Sequence, residues 1–394
     1  MLDHIHWLAV LTAALGTLSS MAFYLLCIWS AAGFLRESKS KAAGGGARPT
    51  QAQANPPVSI LKPLKGTDPG MYESLRSHCV QDYPEYEIIF GVSDPNDPAV
   101  TLVSRLQVEF PQRTIRLVVC EKDLGANTKV SNLAQMLPQA RYEYLIVNDS
   151  DIRVESDYLR KVVPPLTDPV VGMVTCLYRA VASPTLGSRL ESLGISTDFI
   201  AGVLAARQLE GIRFGLGSTL AFRRRDLQVI GGFEALADYL ADDYELGSRI
   251  AARGLKVVLS DSIVETFLPA YGLGAFLVHQ LRWARTIRDS RRWGYLGLGL
   301  TFGLPWAMLT VVLAQGAAWA WALLGAAVVV RSAMALTVGR SVLRDRQVLQ
   351  FLWLIPLRDV IALLVWLASF AGHTISWRDE AFILRSGKLV RIDS

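Results

Sequence analysis

Two carboxylates one residue apart, Asp149-Ser150-Asp151, follow directly on the apolar run Tyr144-Leu-Ile-Val147. At a strand end such a pair can converge on one hard divalent cation, which keeps several waters and takes its other ligands from substrate phosphates. That is a place to hold a diphosphate. A second acidic pair, Asp242-Asp243 in Leu240-Ala-Asp-Asp-Tyr244, opens a helical pattern in which Leu246 and Ile250 share an apolar face. Either carboxylate can serve as a helix N-cap worth about 1 kcal/mol, or face the sheet edge and take a proton from an acceptor hydroxyl; the sequence leaves both open. The stretch His279-Gln-Leu-Arg282-Trp283-Ala-Arg285-Thr-Ile-Arg288 sets three guanidiniums at helical spacing beside apolar residues. It reads as a basic interfacial helix and also as an Arg–indole pair closing over a pyrophosphate.

The elements that must carry these residues are visible as alternation. Between Pro56 and Arg292, β-branched runs at Val58–Leu61, Tyr86–Val92, Ile115–Cys120, Tyr144–Val147, Val171–Leu177 and Thr219–Phe222 alternate with helical patterns. This spacing predicts βαβ units and a mainly parallel sheet, whose ligands bind beyond the carboxyl ends of the strands. Polar turns stand at four of those ends: Lys62-Pro-Leu-Lys65-Gly66, Ser93-Asp-Pro-Asn-Asp-Pro98, Gly125-Ala-Asn-Thr-Lys129 and Asn148-Asp-Ser-Asp151. Singly, such residues are ordinary turn formers; their concentration on one sheet edge gives them weight. The chain has no P-loop, no GxGxxG in a strand-to-helix setting, no GxSxG and no HExxH. P-loop, dinucleotide, α/β-hydrolase and zincin chemistry are thereby excluded. Cys27, Cys79, Cys120 and Cys176 show no CxxC spacing, so neither a zinc site nor a redox pair is indicated.

Outside this block the chain is written for a bilayer. Trp7 to Leu35 carries no charge, longer than the roughly 20 residues a crossing needs. Arg36, Lys39, Lys41 and Arg48 follow, which places the next segment in the cytoplasm by the positive-inside rule. A second uncharged tract, Trp293 to Val330, has Gln315-Gly316 near its middle and reads as a hairpin of two spans. A third, Leu349 to Gly372, is interrupted by Pro356-Leu-Arg358-Asp359 and is expected to form a re-entrant or interfacial hairpin, with Arg358 and Asp359 buried as a pair. The expected layout is an anchor over 1–36, a linker over 37–55, an α/β domain over 56–292 and a transmembrane hairpin over 293–331. Residues 332–394 then carry a cytoplasmic loop, the membrane or re-entrant segment 349–372 and a basic tail. The 51% hydrophobic content therefore averages two unlike populations, and the net charge of +5 lies largely beside membrane segments, so neither speaks for nucleic acid.

The order Asp94-Pro-Asn-Asp-Pro98, Gly125-x-Asn-x-Lys129, Asp149-Ser-Asp151, Ala241-Asp-Asp-Tyr244 and Arg282-Trp283, ahead of C-terminal membrane segments, resembles glycosyltransferase family 2 and its relatives, the ceramide glucosyltransferases. Val58-Ser-Ile-Leu-Lys-Pro-Leu-Lys-Gly66 and Gln81-Asp-Tyr-Pro84 are similar to the ceramide enzymes in particular. Gly125–Asn132, Val174–Tyr178 and Leu240–Tyr244 look equally close to the bacterial hopanoid-associated glycosyltransferases. The resemblance implies a GT-A-type α/β domain flanked by N- and C-terminal transmembrane helices. It implies inverting transfer of glucose or N-acetylglucosamine from a UDP-sugar to a hydroxyl of a membrane lipid, ceramide or a hopanoid polyol, on the cytoplasmic face of a bacterial inner membrane. Carried over by position, it makes Asp243 the base and Asp149 and Asp151 the ligands of Mg²⁺ or Mn²⁺. Pro63, Lys65, Asp94, Lys129, Asp149, Arg282 and Trp283 bind the sugar nucleotide, with His279, Asp242 and Ser218 as further candidates. His279 stands where the family usually has Gln or Arg, and Asp151 where animal ceramide glucosyltransferases have Gly. Two rivals share parts of this pattern: a processive polysaccharide synthase, and a haloacid-dehalogenase-like phosphotransferase, whose DxDx[TV] motif is broken here by Arg153.

Overall fold

The computed structural model describes residues 2–43, 55–377 and 380–391, and the chain divides into two compact units. Arg48 in the linker and Arg378 in the tail lie outside the described residues. The α/β unit comprises residues 41–181, 211–269 and 387–394. Its sheet is built from β1 (Val58–Pro63), β2 (Tyr86–Val92), β3 (Thr114–Val119), β4 (Tyr144–Val147), β5 (Ile152–Arg153), β6 (Val171–Val181), β7 (Leu220–Arg223) and β8 (Lys256–Phe267), in the order β3-β2-β1-β4-β7-β6-β8-β5. β3, β2, β1 and β4 run parallel, which brings their carboxyl ends to one edge. β7 is antiparallel to both β4 and β6, β6 and β8 are parallel again, and β5 is antiparallel to β8.

β1 and β2 are buried along their whole length, as near-continuous apolar runs covered on both faces must be. Ile60, Ile88, Phe90 and Ile146 pack there with Leu75 and Val103 from the helices Met71–Cys79 and Ala99–Glu109 and with Leu159 from the helix Tyr158–Val162. The sequence periodicity misses β8 for a structural reason. Its pairing to β6 jumps from Cys176–Ser260 to Leu177–Ile263, so Asp261 and Ser262 bulge out and break the two-residue period in mid-strand.

The helical unit comprises residues 1–40, 182–210 and 270–386. It includes Leu186–Glu210, helical throughout with a π turn at Ile195–Phe199, and the amphipathic helix Leu273–Ser290. The contiguous 56–292 domain expected from sequence is thus not one compact unit. Leu190 and Leu193 of the first helix and Phe276 of the second share a core with Leu304, Ala307, Ala327 and Ile355, and so fold with the C-terminal helices.

Three described helices are long and apolar enough to cross a membrane: Asp3–Ser40, Ala318–Val342 and Gln347–Ser369. A fourth span is possible in length if Arg292–Thr301 and Gly303–Leu313, bent by 51°, count as one. Between the limbs of the expected hairpin the chain turns at Gln315 and Gly316, with φ of 51° and 75°. Two expectations are corrected. Residues 347–369 form one helical stretch of 23 residues without a reversal, because Pro356 falls in the first turn of its final segment, where a missing N–H costs no hydrogen bond. Arg358 and Asp359 are buried but do not pair with each other, since consecutive helical residues face different ways. Asp359 instead takes Arg331, at 2.9 and 3.0 Å, while Arg358 lies 3.6 Å from Asp198. Arg331 also bonds Asp198 and lies over the Tyr24 ring, so it is an internal side chain of its helix rather than a flank of the hairpin.

Candidate active site

At the carboxyl end of β4 the chain turns through Asn148-Asp149-Ser150-Asp151, and both backbone and side chains of this turn are held. Asn148 is fully buried and donates to Tyr158 Oη, the Ser218 carbonyl and Thr219 Oγ1. Lys62, inside β1, donates from Nζ to the Asp149 carbonyl at 3.0 Å, and Ser74 donates to the Asp151 carbonyl at 3.1 Å. His78 bonds the Ser74 carbonyl through Nδ1 and turns Nε2 towards Lys62, 3.5 Å away. Burial keeps His78 well below the usual histidine range and, against the pull of Asp151 and Asp149, brings Lys62 down to about 7. Asp151 accepts from the Thr266 hydroxyl of β8; burial and then Asp149 push its carboxyl up to about 6. The sequence places Lys62 in the polar turn after the first strand and gives it no role; in the structure it lies inside β1, and only the neighbouring Asp149–Asp151 turn reveals its use.

Asp242 and Asp243 are the first two residues of the helix Asp242–Ala252, and the N-cap position belongs to Ala241. The capping reading of this pair therefore does not apply. Asp243 accepts from Gly217 N at 2.7 Å and Tyr244 N at 2.8 Å. Burial, then Asp242, pushes its carboxyl up to about 6 against the opposing pull of Lys129. A Cβ on Gly217 would lie 2.8 Å from Asp149 Oδ2 and 3.3 Å from Asp243 Oδ2, so these carboxylates from distant chain segments flank one glycine. Gly247 lets the helix press on this loop, since a Cβ there would lie 2.2 Å from Gly215 N.

Lys129 lies among the three carboxylates. Its Nζ is 2.8 Å from Asp149 Oδ1 and 3.0 Å from Asp242 Oδ2. Burial alone would lower the ammonium's pKa, but Asp149, Asp242 and Asp243 outweigh it and hold the group well above the ordinary lysine range. Asn127 anchors its helix, Thr128–Met136: Oδ1 caps Val130 N, and Nδ2 donates to the Tyr239 carbonyl and to Asp242.

The remaining candidates are distributed more widely. Pro63 ends β1 in a buried position, while Lys65 and Asp94 lie exposed in the loops after β1 and β2. Asp94 is turned on its own loop, accepting from Asn96 N. Asp97, the second carboxylate of the Asp94–Pro98 motif, joins these loops by accepting from Gly66 N and Ala99 N. The Ser218 hydroxyl is spent on the Cys176 carbonyl. His279, Arg282 and Trp283 belong to the helical unit. There His279 Nδ1 lies 2.8 and 3.0 Å from the two oxygens of buried Glu191, which also accepts from Tyr271, and Trp283 packs against His279 and Phe199.

Among the described residues no cluster of three or more His, Cys, Asp or Glu side chains is built to hold a metal. Asp149 and Asp151 nevertheless fit a cation of the Mg²⁺ or Mn²⁺ type, which needs only one or two protein carboxylates and takes water and phosphate oxygens for the rest. Asp149 meets the further requirement of accessibility, its side chain being 41% exposed.

Residues 12–390 match the model of "Glycosyl transferase family 21". The chain is 26% identical over 231 residues to ceramide glucosyltransferase 3 of Caenorhabditis elegans, covering 58% of this chain and 50% of that one. It is 33% identical over 115 residues to the ceramide glucosyltransferase of Candida albicans, 26% of this chain and 21% of the other. The chain thus spans about half the length, or less, of the curated relatives it matches. Among solved structures it is similar to the mannosyltransferase PcManGT from Pyrobaculum calidifontis, solved with GDP-Man and Mn²⁺. The TM-score is 0.51 at 18% identity over 90% of this chain and 98% of that one, a likeness of fold.

Proposed function

Because the chain belongs to glycosyltransferase family 21, we propose that it transfers a hexose, glucose or N-acetylglucosamine, from a UDP-sugar to a hydroxyl of a membrane lipid, with inversion at the anomeric carbon. One observation carries this reading: Asp149, at the end of β4, and Asp243, at the start of a helix, flank Gly217, while Lys129 joins Asp149 to Asp242. A donor-holding carboxylate and a candidate base thus share one small volume.

In this mechanism Asp243 accepts the proton of the attacking hydroxyl. Its carboxyl, pushed up to about 6, is basic enough to take a proton yet ionised at neutral pH. The Gly217 and Tyr244 N–H groups fix the carboxylate's orientation. Mg²⁺ or Mn²⁺, held by Asp149 and Asp151, would supply Lewis-acid neutralisation of the departing diphosphate. Lys62 and Ser74 hold the backbone of the turn so that the two carboxylates keep their spacing. Lys129 contributes fixed positive charge where negative charge develops. The motif alone assigns Arg282 and Trp283 to the diphosphate. A single displacement turns an α-linked donor into a β-glycoside. The acceptor is a lipid such as ceramide or a hopanoid polyol, and the site is the cytoplasmic face of a bacterial inner membrane; the relatives' names support only a ceramide-type acceptor, and the apolar helices only a membrane setting.

The test is to incubate the purified, detergent-solubilised chain with a panel of UDP-sugars, Mg²⁺ or Mn²⁺ and total membrane lipids, and to identify the product by mass. A lipid heavier by one hexose or one N-acetylhexosamine is expected. Consumption of no donor would overturn the reading, and a lengthening water-soluble product would identify a polysaccharide synthase instead.

A further inference from the structure

The charges around the β4 turn do not balance. Asp149, Asp151, Asp242 and Asp243 face two ammonium groups, Lys62 and Lys129. With all of them ionised the excess is two negative charges, which one divalent cation would neutralise. Lys62 is committed to a backbone carbonyl. Lys129, whose side chain is 12% exposed, is committed to carboxylates, and one of these is the accessible Asp149.

We propose that Lys129 is an internal counter-cation that occupies Asp149 until a divalent cation takes its place, and that this exchange couples metal binding to donor binding. The proposal rests on the reading that Asp149 takes a metal. Asp149 Oδ1 holds an ammonium at 2.8 Å, and a divalent cation drawn to the same carboxylate at about 2.1 Å competes with that ammonium for its negative charge. A metal that takes Oδ1 breaks the Lys129–Asp149 pair and leaves a largely buried ammonium with Asp242 as its ion-pair partner. A nucleoside diphosphate offers Lys129 new oxygens and repays that loss. Asn127 anchors both sides of the exchange, since it caps the Lys129 helix and also bonds Asp242. The exchange changes what Asp243 feels as well, because Lys129 opposes the upward push on its carboxyl.

Mn²⁺ binding to the detergent-solubilised full chain, followed by electron paramagnetic resonance with and without UDP, tests this without any turnover. Lys129→Met should bind Mn²⁺ alone about five-fold more tightly than the parent, the equivalent of an ion pair of about 1 kcal/mol. The additional tightening produced by UDP should be smaller in the variant. In an Asp149→Asn background, Lys129→Met should leave Mn²⁺ binding unchanged, which separates competition at Asp149 from a general loss of positive charge. Equal or weaker Mn²⁺ binding by Lys129→Met overturns the exchange, as does the same tightening in both backgrounds. Lys129→Arg, which keeps the charge, should bind Mn²⁺ as the parent does, and a thermal melt identifies any variant that has not folded. If the parent consumes no UDP-sugar while these isotherms behave as described, the proposed reaction fails and the exchange stands.

Discussion

In the proposed reaction Asp243 is the base, and its surroundings make that role measurable. Asp243→Asn keeps the shape and removes the base, so kcat should fall by about 10²- to 10⁴-fold while UDP affinity is retained; an unchanged kcat would remove Asp243 from the mechanism. The pH dependence follows from the direction of its shift. A carboxyl raised to about 6 is protonated and inactive as a base below that pH, so activity should rise through about pH 6. Asp151, also raised to about 6, must ionise to serve a cation, so the acid limb should be steeper than a single proton allows. Gly217 gives a test by shape alone. Gly217→Ala would set a methyl 2.8 Å from Asp149 Oδ2 and 3.3 Å from Asp243 Oδ2. Turnover should drop at least about ten-fold, a cost of about 1.4 kcal/mol in the barrier, with little change in melting temperature. A variant that melts early but turns over normally would contradict this.

Among elements, the Thr128–Met136 helix ties stability to function most directly. Asn127→Ala removes its cap and two further hydrogen bonds, and should cost about 1–2 kcal/mol in a thermal melt together with weaker UDP binding. In the helical unit, Arg331→Met would strand the buried Asp359 and leave Asp198 with Arg358 alone, and a loss of about 3–5 kcal/mol is expected in detergent. Adding Asp359→Leu to that variant should restore part of the loss, which would not occur if Arg331 contributed packing alone. Legibility in the sequence differs between elements for the same physical reasons. β1, β2 and β4 announce themselves because strands covered on both faces are largely apolar, and the polar turns at their ends follow from the parallel order. β8 stays hidden behind its bulge, and Lys62 stays hidden because nothing in local spacing tells that Asp149 and Asp151 will lie beside it. That neither Asp242 nor Asp243 is the N-cap needed the helix start to be seen at Ala241.

For the whole molecule, the outward faces of the long helices are as informative as their lengths. Leu8, Leu11 and Leu15 on the first, Val328 and Val329 on the second and Trp353 and Leu364 on the third stand exposed, more apolar surface than a chain keeps in water without a partner. The protein should accordingly stay in the membrane pellet through alkaline carbonate extraction, and its release into the supernatant would contradict the spans. The division into two units has a practical corollary. The chain passes from one to the other five times, at residues 40/41, 181/182, 210/211, 269/270 and 386/387. A fragment stopping near residue 292 would retain Leu190, Leu193 and Phe276 but lose Leu304, Ala307, Ala327 and Ile355, the side chains that bury them. In genetic terms, residues 182–210 are an insertion between β6 and β7, so the α/β unit has to be isolated by excision and rejoining rather than by truncation.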